Sequence, residues 1–565
     1  MQIVCIGDGS SRTYSADEIG AKAANLARMA ALGLPVPPAF VLPISHCAAV
    51  LSRQAHAERD LRDGLKAGIA FLEQQTGKRF GDHRRPLLLS VRSGAARSMP
   101  GMLSTVLDVG CTLTAVQGLI RNSGRPRLAW DCRRRFLESY AETVLGLDPA
   151  LFARNMAELI LSEGLGGDDE LDSEALERLA GDEQTLIGER YDGDWLEDAA
   201  AQLEGAVRAV YSSWMSERAQ SYRRLQELDE LQGTAVTVQA MVFGNGGLSS
   251  GAGVAFSRDP STGARQPVID FMLDAQGEDI VSGRRTPGTE DVMSRSLPQL
   301  AAELRDILNK LEREFGDVQD VEFTVEDNKL WALQTRSAKR TPRAALRIAV
   351  DLVHEGVISP RQALERLDGI DLAAVVEVSL TSASAPLLTG IAASGGIASG
   401  RAAFSTEGAR RLSSSGDPII LVRPDTSTAD VEGFALAAGI MTSAGARTSH
   451  AALVARQLGK PCIVGCSKVA IDADSSRAKV DGTTIREGDW LTIDGDDGNI
   501  YLGRLETMAR RPEAELAEVA SWRSRDGDRL DVGSEAAAEA AGTHMQLCSC
   551  RENMEQTTPL TGGTG

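Results

Sequence analysis

One histidine in this chain stands where an anion is well placed. His450 opens the segment TSHAALVARQLGKP, which reads as a short helix capped by Thr448 or Ser449 and ended by Gly459 and Pro461. The first turn of a helix offers free N–H groups and the positive end of the dipole. An imidazole there is a nucleophile near neutral pH and later a leaving group, which suits a phosphoryl carrier. Position alone still favours the plainer reading, a histidine that merely begins a helix.

The elements that must hold such a site follow from the pattern. Residues 16–31 read as a helix stopped by Gly33 and the prolines at 35, 37 and 38. AFVLP is a strand, and so is PLLLSVRS (86–93), which opens into the small-residue loop GAARSMPGMLS. From about 112 to 231 the pattern is helical and charged, with a loop at 164–174. Strands return at TAVTVQAMVFG, GVAFSR and PVIDFML. Residues 299–315 form an amphipathic helix with Leu300, Leu304, Ile307, Leu308, Leu311 and Phe315 on one face. VEFTVE and KLWALQTR make a hairpin through Asp327 and Asn328.

Two helices in 341–385 read as a connector, and 386–505 alternates strand and helix. The strands of that unit are PIILVRP, GIMTS and PCIVG, the helices STADVEGFALAA and SHAALVARQL, and DWLTIDGDDGNIYLG closes it as a hairpin. Residues 506–565 read as a tail, charged and then Ala-rich, with a disordered ending.

Bulk properties exclude several classes of protein. The 565 residues carry 60 basic and 79 acidic side chains, a net charge of −19, which argues against a nucleic-acid partner. The apolar runs are too short to span a bilayer, and the start lacks a secretory pattern, so the expected location is the cytoplasm. The eight cysteines show no zinc or disulfide spacing, and Cys548 and Cys550 read as reduced thiols.

Several long segments carry a family likeness. TSHAALVARQLGKPCIVG resembles the phosphohistidine signature of the phosphoenolpyruvate-utilising enzymes, and its TSH and GKPC look most like the pyruvate, phosphate dikinase branch. GAKAANLARMAALGLPVP, PLLLSVRSGAARSMPGMLSTVLDVG, VQAMVFGNGGLSSGAGVAFSRDPSTG, DAQGEDIVSGRRTP and DVQDVEFTVEDNKLWALQTRSAKRT resemble that branch's nucleotide-binding half. Together they cover residues 15 to about 505.

The resemblance implies an α/β and α+β multidomain chain. An ATP-grasp domain at 1–340, with a helical insertion at about 112–231, would be joined by a helical linker at 341–385 to a swivelling phosphohistidine domain at 386–505.

Carried over by position, Lys22 and Arg92 bind ATP phosphates and Gly101 belongs to the loop over them. Glu278 lies near ribose or adenine, Asp320 and Glu322 organise Mg²⁺ and phosphate, Gln334 and Arg336 complete the nucleotide contacts, and His450 is phosphorylated. Each has a bland alternative on its own: a solvated lysine, a strand-end arginine, a solvent-facing acid pair. Their joint order favours function. Arg and Lys oppose phosphate charge, and acids at i and i+2 of a strand share a face, as a shared metal requires.

The implied activity is ATP- and phosphate-dependent phosphorylation of His450 with release of AMP and pyrophosphate. The phosphoryl group then passes to an acceptor such as pyruvate. The resemblance stops before the barrel that binds pyruvate or phosphoenolpyruvate. Residues 527–554 only weakly match its start, with Arg551 as a candidate substrate arginine, so a separate barrel protein is the expected partner. The rivals are a phosphotransferase with another small-molecule acceptor and a nucleotide-binding remnant. Ala446 and Arg447 replace the family's usual glycine and hydrophobic residue, and Arg447 either pairs with a phosphate or plays no part.

Overall fold

The computed structural model describes residues 2–525 apart from 98, 100, 192, 282–291, 383, 426–429 and 473–476. The segment compared with a barrel start, with Cys548, Cys550 and Arg551, lies outside the described residues. So do part of DAQGEDIVSGRRTP, Ser98 and Pro100 of the loop after Arg92, and the first residues of STADVEGFALAA.

Two antiparallel sheets build the N-terminal part. The first has five strands in the order Val4–Ile6, Ala39–Leu42, Ala235–Ala240, Leu89–Gly94 and Thr105–Val109. The second has four, ordered Lys329–Ser337, Gln319–Glu326, Gly251–Phe256 and Val268–Leu273. Helices from Leu113 to Leu225 pack on the first sheet, in the stretch read as a helical insertion. The helix Pro298–Phe315 covers the second: Leu304, Ile307, Leu308 and Leu311 are buried, while Leu300 and Phe315 flank them. The hairpin turn falls at Asp327 and Asn328, both left-handed with φ 49° and 60°, a conformation these residues tolerate.

The expected helix at 16–31 is broken. It runs Ala16–Ile19 and Ala21–Ala31, with Gly20 at φ +81° between them. A Cβ on Gly20 would stand 2.1 Å from the Gly94 carbonyl oxygen, so only glycine permits this approach. Backbone contact with a strand end overrides helix propensity here.

The C-terminal part is built on one eight-stranded sheet. Its centre is parallel, Ile397–Ala403, Ile419–Arg423, Gly439–Thr442 and Cys462–Val464, and its flanks are antiparallel. The helices Pro342–His354 and Pro360–Arg366 precede it and pack against Ala252, Val254 and Phe256 of the N-terminal part. Both connections to the sheet pass through one antiparallel ribbon, in which Glu377–Leu380 pairs with Thr507–Arg510. Residues 513–525 are helical and bury Val519 and Trp522 against the same cluster, so the chain after 506 joins the fold where the sequence reads as a tail.

Candidate functional site

The Gly20 contact decides where Lys22 stands. Ala21 N–H donates to the Ala95 carbonyl at 2.9 Å, which sets the first turn of the helix beside the end of the strand bearing Arg92. Three residues beyond Lys22, the Asn25 amide donates to the Thr335 carbonyl at 2.9 Å on the second sheet. One helix therefore ties both sheets together and carries a lysine into the space between them. Lys22 stays open to solvent although protein atoms crowd around it. That crowding lowers its amine below the ordinary lysine value, opposed by Glu322 and reinforced by Arg92 and Arg336.

The two acids sit opposite their partners by strand register. Asp320 faces Arg336 and Glu322 faces Gln334 across the hairpin. Arg336 Nε donates to Asp320 Oδ2 at 2.7 Å, and Gln334 Nε2 to Glu322 Oε1 at 3.2 Å. The same register puts Asp320 and Glu322 on one face of their strand. Burial raises the Asp320 carboxyl despite Arg336, and burial lowers the Arg92 guanidinium despite Glu322. The structure thus brings Lys22, Arg92, Asp320, Glu322, Gln334 and Arg336 into one group.

The chemistry of this donor set fits a cation shared with phosphate. Asp320 Oδ1 is buried without a hydrogen-bond partner among the described residues. No group of three or more His, Cys, Asp or Glu arranged to hold a metal exists among those residues. Two carboxylates beside three cations therefore suit an ion whose remaining ligands are phosphate oxygens and water. The three cations exceed the two acids by one charge and so favour an anion.

Glu278 and Gly101 stand elsewhere. Gly101 lies in the loop that follows the Arg92 strand, at φ +69° with open space around it. Glu278, in the helix Gly277–Val281, approaches Arg135 at 3.6 Å. Arg135 is buried and pairs with Asp279 at 2.8 Å and Asp131 at 2.9 Å. Sequence reading passed over this network. Its signal was the run Arg133–Arg135 beside Asp131 on one helix, all of it buried. Beneath it Asp108 is held at φ +53°, and burial pushes its carboxyl up to about 8.

His450 begins the helix His450–Gln457, and Ser449 is the cap, accepting from Ala452 N–H at 3.5 Å. Gly445 at φ +112° and Gly459 at φ +64° make the turns before and after. The imidazole is half-buried within its own sheet unit, with the Phe434 ring edge-on at 5.9 Å. Its Nε2 is buried without a hydrogen-bond partner among the described residues. Burial holds the ring below the usual histidine value, opposed by Asp425 and Asp430.

The loop before His450 docks on the N-terminal part. Arg447 forms an ion pair with the buried Asp270 carboxylate, and its backbone N–H donates to the same side chain at 3.3 Å. Arg447 thus meets a carboxylate of the N-terminal part. Arg456, fully buried, donates to the Ala393 carbonyl at 2.8 Å and stacks at 5.3 Å over Phe256, the cross-strand neighbour of Asp320. Neither Asp270 nor Arg456 was legible as functional, because each gains meaning only from the facing surface.

Cations and acids gathered between two antiparallel sheets, beside a separate sheet unit that bears a histidine at a helix start, mark a multidomain α/β chain of the nucleotide-binding class. Residues 52–302 and 290–356 match the model of the pyruvate phosphate dikinase AMP/ATP-binding domain, and 416–498 match that of the PEP-utilising enzyme mobile domain. The chain belongs to the pyruvate, phosphate dikinase family. It is 39% identical over 530 residues to a pyruvate, phosphate dikinase of Rhizobium meliloti strain 1021, covering 91% of this chain and 59% of that one. The pyruvate, phosphate dikinase 2 of Zea mays is 41% identical, covering 89% and 57%, and the pyruvate, phosphate dikinase of Clostridium symbiosum 38%, covering 89% and 58%. The chain therefore spans less than two thirds of the length of these relatives.

Proposed function

We propose that this chain loads a phosphoryl group from ATP onto His450 for delivery to a carbon acceptor such as pyruvate, bound by a separate barrel protein. The carrying observation is the Lys22, Arg92, Arg336, Asp320 and Glu322 group, in contact with the unit that bears His450. Lys22, Arg92 and Arg336 oppose the negative charge of the ATP phosphates. Asp320 and Glu322 would hold Mg²⁺, which screens the phosphate oxygens when bound. Gln334 orients Glu322, and Gly101 leaves room for the loop over the phosphates. Glu278 is proposed to contact ribose or adenine through the Arg135 network.

In the chemical step the neutral imidazole of His450 attacks the β-phosphorus. A nitrogen–phosphorus bond forms, the bond from the β-phosphorus to the bridging oxygen breaks, and AMP leaves with that oxygen. Phosphate then attacks the γ-phosphorus, pyrophosphate departs, and phosphohistidine remains. His450 must reach ATP held on the N-terminal part, so loading is read as a swivel of the 386–505 unit, with Phe434 still beside the imidazole, about the 377–380 and 507–510 ribbon. The six described cysteines are free, which supports a cytoplasmic setting.

Labelling decides the reading. With ATP labelled at the β-phosphorus, the protein should acquire acid-labile label that stays after phosphate is added. With γ-labelled ATP, the label should leave as pyrophosphate once phosphate is present. Retention of the γ-label, or absence of the β-label, would overturn it.

A further inference from the structure

The segment that walls the imidazole is a short one, held at its start by the ion pairs Arg410–Glu432 and Arg423–Asp430. The helix Val431–Leu436 has six residues, and its cap residue Asp430 makes no side-chain capping hydrogen bond. A helix of this length is marginal on its own. It nevertheless carries Phe434, fully buried against Ala451, Ala452 and Ala455 of the histidine helix and edge-on to His450. Its last carbonyls need donors, because a helix end leaves them unmatched.

One side chain supplies them. Lys460 Nζ donates to the carbonyls of Phe434 at 2.8 Å, Ala435 at 2.6 Å and Ala437 at 2.6 Å. These three bonds use every proton of the ammonium group. A cation at a helix C-terminus also meets the negative end of the dipole. Lys460 lies in the turn between the histidine helix and the strand Cys462–Val464. Its own N–H returns to the Ala455 carbonyl at 2.9 Å, so its base is fixed to the histidine helix. The lysine therefore clasps the wall helix to the helix that starts with His450.

We propose that Lys460 is a positioning residue for phosphoryl transfer: by clamping the C-terminal end of helix 431–436 it holds the Phe434 ring against His450 and so fixes the face the imidazole presents. Lys460 touches neither nucleotide nor imidazole and acts through Phe434. The role rests on the carrier function proposed for His450.

The test separates the two ideas by using a readout that needs no ATP. The full chain, with its six histidines isotope-labelled on the ring, is followed by NMR, and His450 is assigned by the signal lost in His450→Ala. Lys460→Met should shift or broaden the His450 signal and raise its titration midpoint towards the ordinary histidine value, because a loosened wall admits water. Phosphoryl loading should slow by about tenfold, the order expected for a misoriented nucleophile. Lys460→Arg, which keeps a cation and several donors, should restore most of both.

Phe434→Leu leaves the lysine clamp in place and should reproduce the His450 shift, which keeps the proposal testable where Lys460→Met fails to fold. An unchanged His450 signal in a folded Lys460→Met protein, or in Phe434→Leu, overturns the inference. If the parent protein takes no label from ATP, the carrier reading fails while the NMR arm still reports on the clamp.

Discussion

The N-terminal part gathers charge from two sheets and one helix, while the C-terminal part half-buries a single imidazole beside an aromatic ring. Around Asp320, cations and acids are matched by strand register, and one carboxylate oxygen is left over for a ligand. Around His450 the neighbours are an aromatic edge and alanines, with only the Asp425 and Asp430 carboxylates opposing burial. A site that must grip a polyanion needs many fixed charges, and their mutual repulsion is relieved only when the ligand arrives. A carrier needs a neutral nucleophile, and partial burial keeps a ring neutral. The contrast predicts that damage to the two regions will have different signatures.

The largest effect tests the division of labour. His450→Ala should abolish covalent label from β-labelled ATP while nucleotide affinity, measured by calorimetry, stays within about twofold, as expected for sites that do not share contacts. A large fall in affinity would merge the two regions into one site. Next, Asp320→Asn should slow loading by about 10²–10³-fold with His450 intact, the scale of losing one preorganised electrostatic group. A rapid-quench time course reads this, and an unchanged rate would remove Asp320 from the charged group.

The join between the two parts comes third. Arg447→Ala strands the buried Asp270 carboxylate and should weaken docking by about 1–3 kcal/mol. Faster amide exchange at 268–273 and 391–394 is the expected result, and Asp270→Ala in the same chain should recover part of the loss. Unchanged exchange would mean that the contact contributes nothing.

The smallest effect is on pH. Attack requires the neutral ring, and burial lowers the His450 pKa from the ordinary 6.5. The loading rate should therefore fall as pH drops, with its midpoint below 6.5. A midpoint at or above 6.5 would show that the imidazole is solvated during attack.

The same contrast explains what could be read in advance. The hairpin at Asp327–Asn328 and the helix Pro298–Phe315 were legible because turn chemistry and apolar spacing are local. Lys22, Arg92, Asp320, Glu322, Gln334 and Arg336 were legible through family likeness, and the structure brings them together. The break at Gly20 was not, since it depends on a carbonyl 74 positions further along the chain, at Gly94. Arg447 stayed ambiguous for the same reason: its partner Asp270 lies on a different sheet. Glu278 and Gly101 were named together with the others, yet the fold sets them in different surroundings.

The ribbon of Glu377–Leu380 and Thr507–Arg510 has a consequence for mixtures of molecules. The histidine unit leaves and re-enters through strands bonded to each other, and Thr381 N–H adds a further bond to the Glu506 carbonyl at 3.1 Å. On the proposed swivel, a unit held at both ends would pivot as a door does and would not wander as a bead on a string does. Its histidine would then meet its own charged group at an effective concentration on the order of millimolar, far above that of any neighbouring molecule in dilute solution. Two crippled chains, one lacking His450 and one lacking Asp320, should therefore fail to rescue each other when combined.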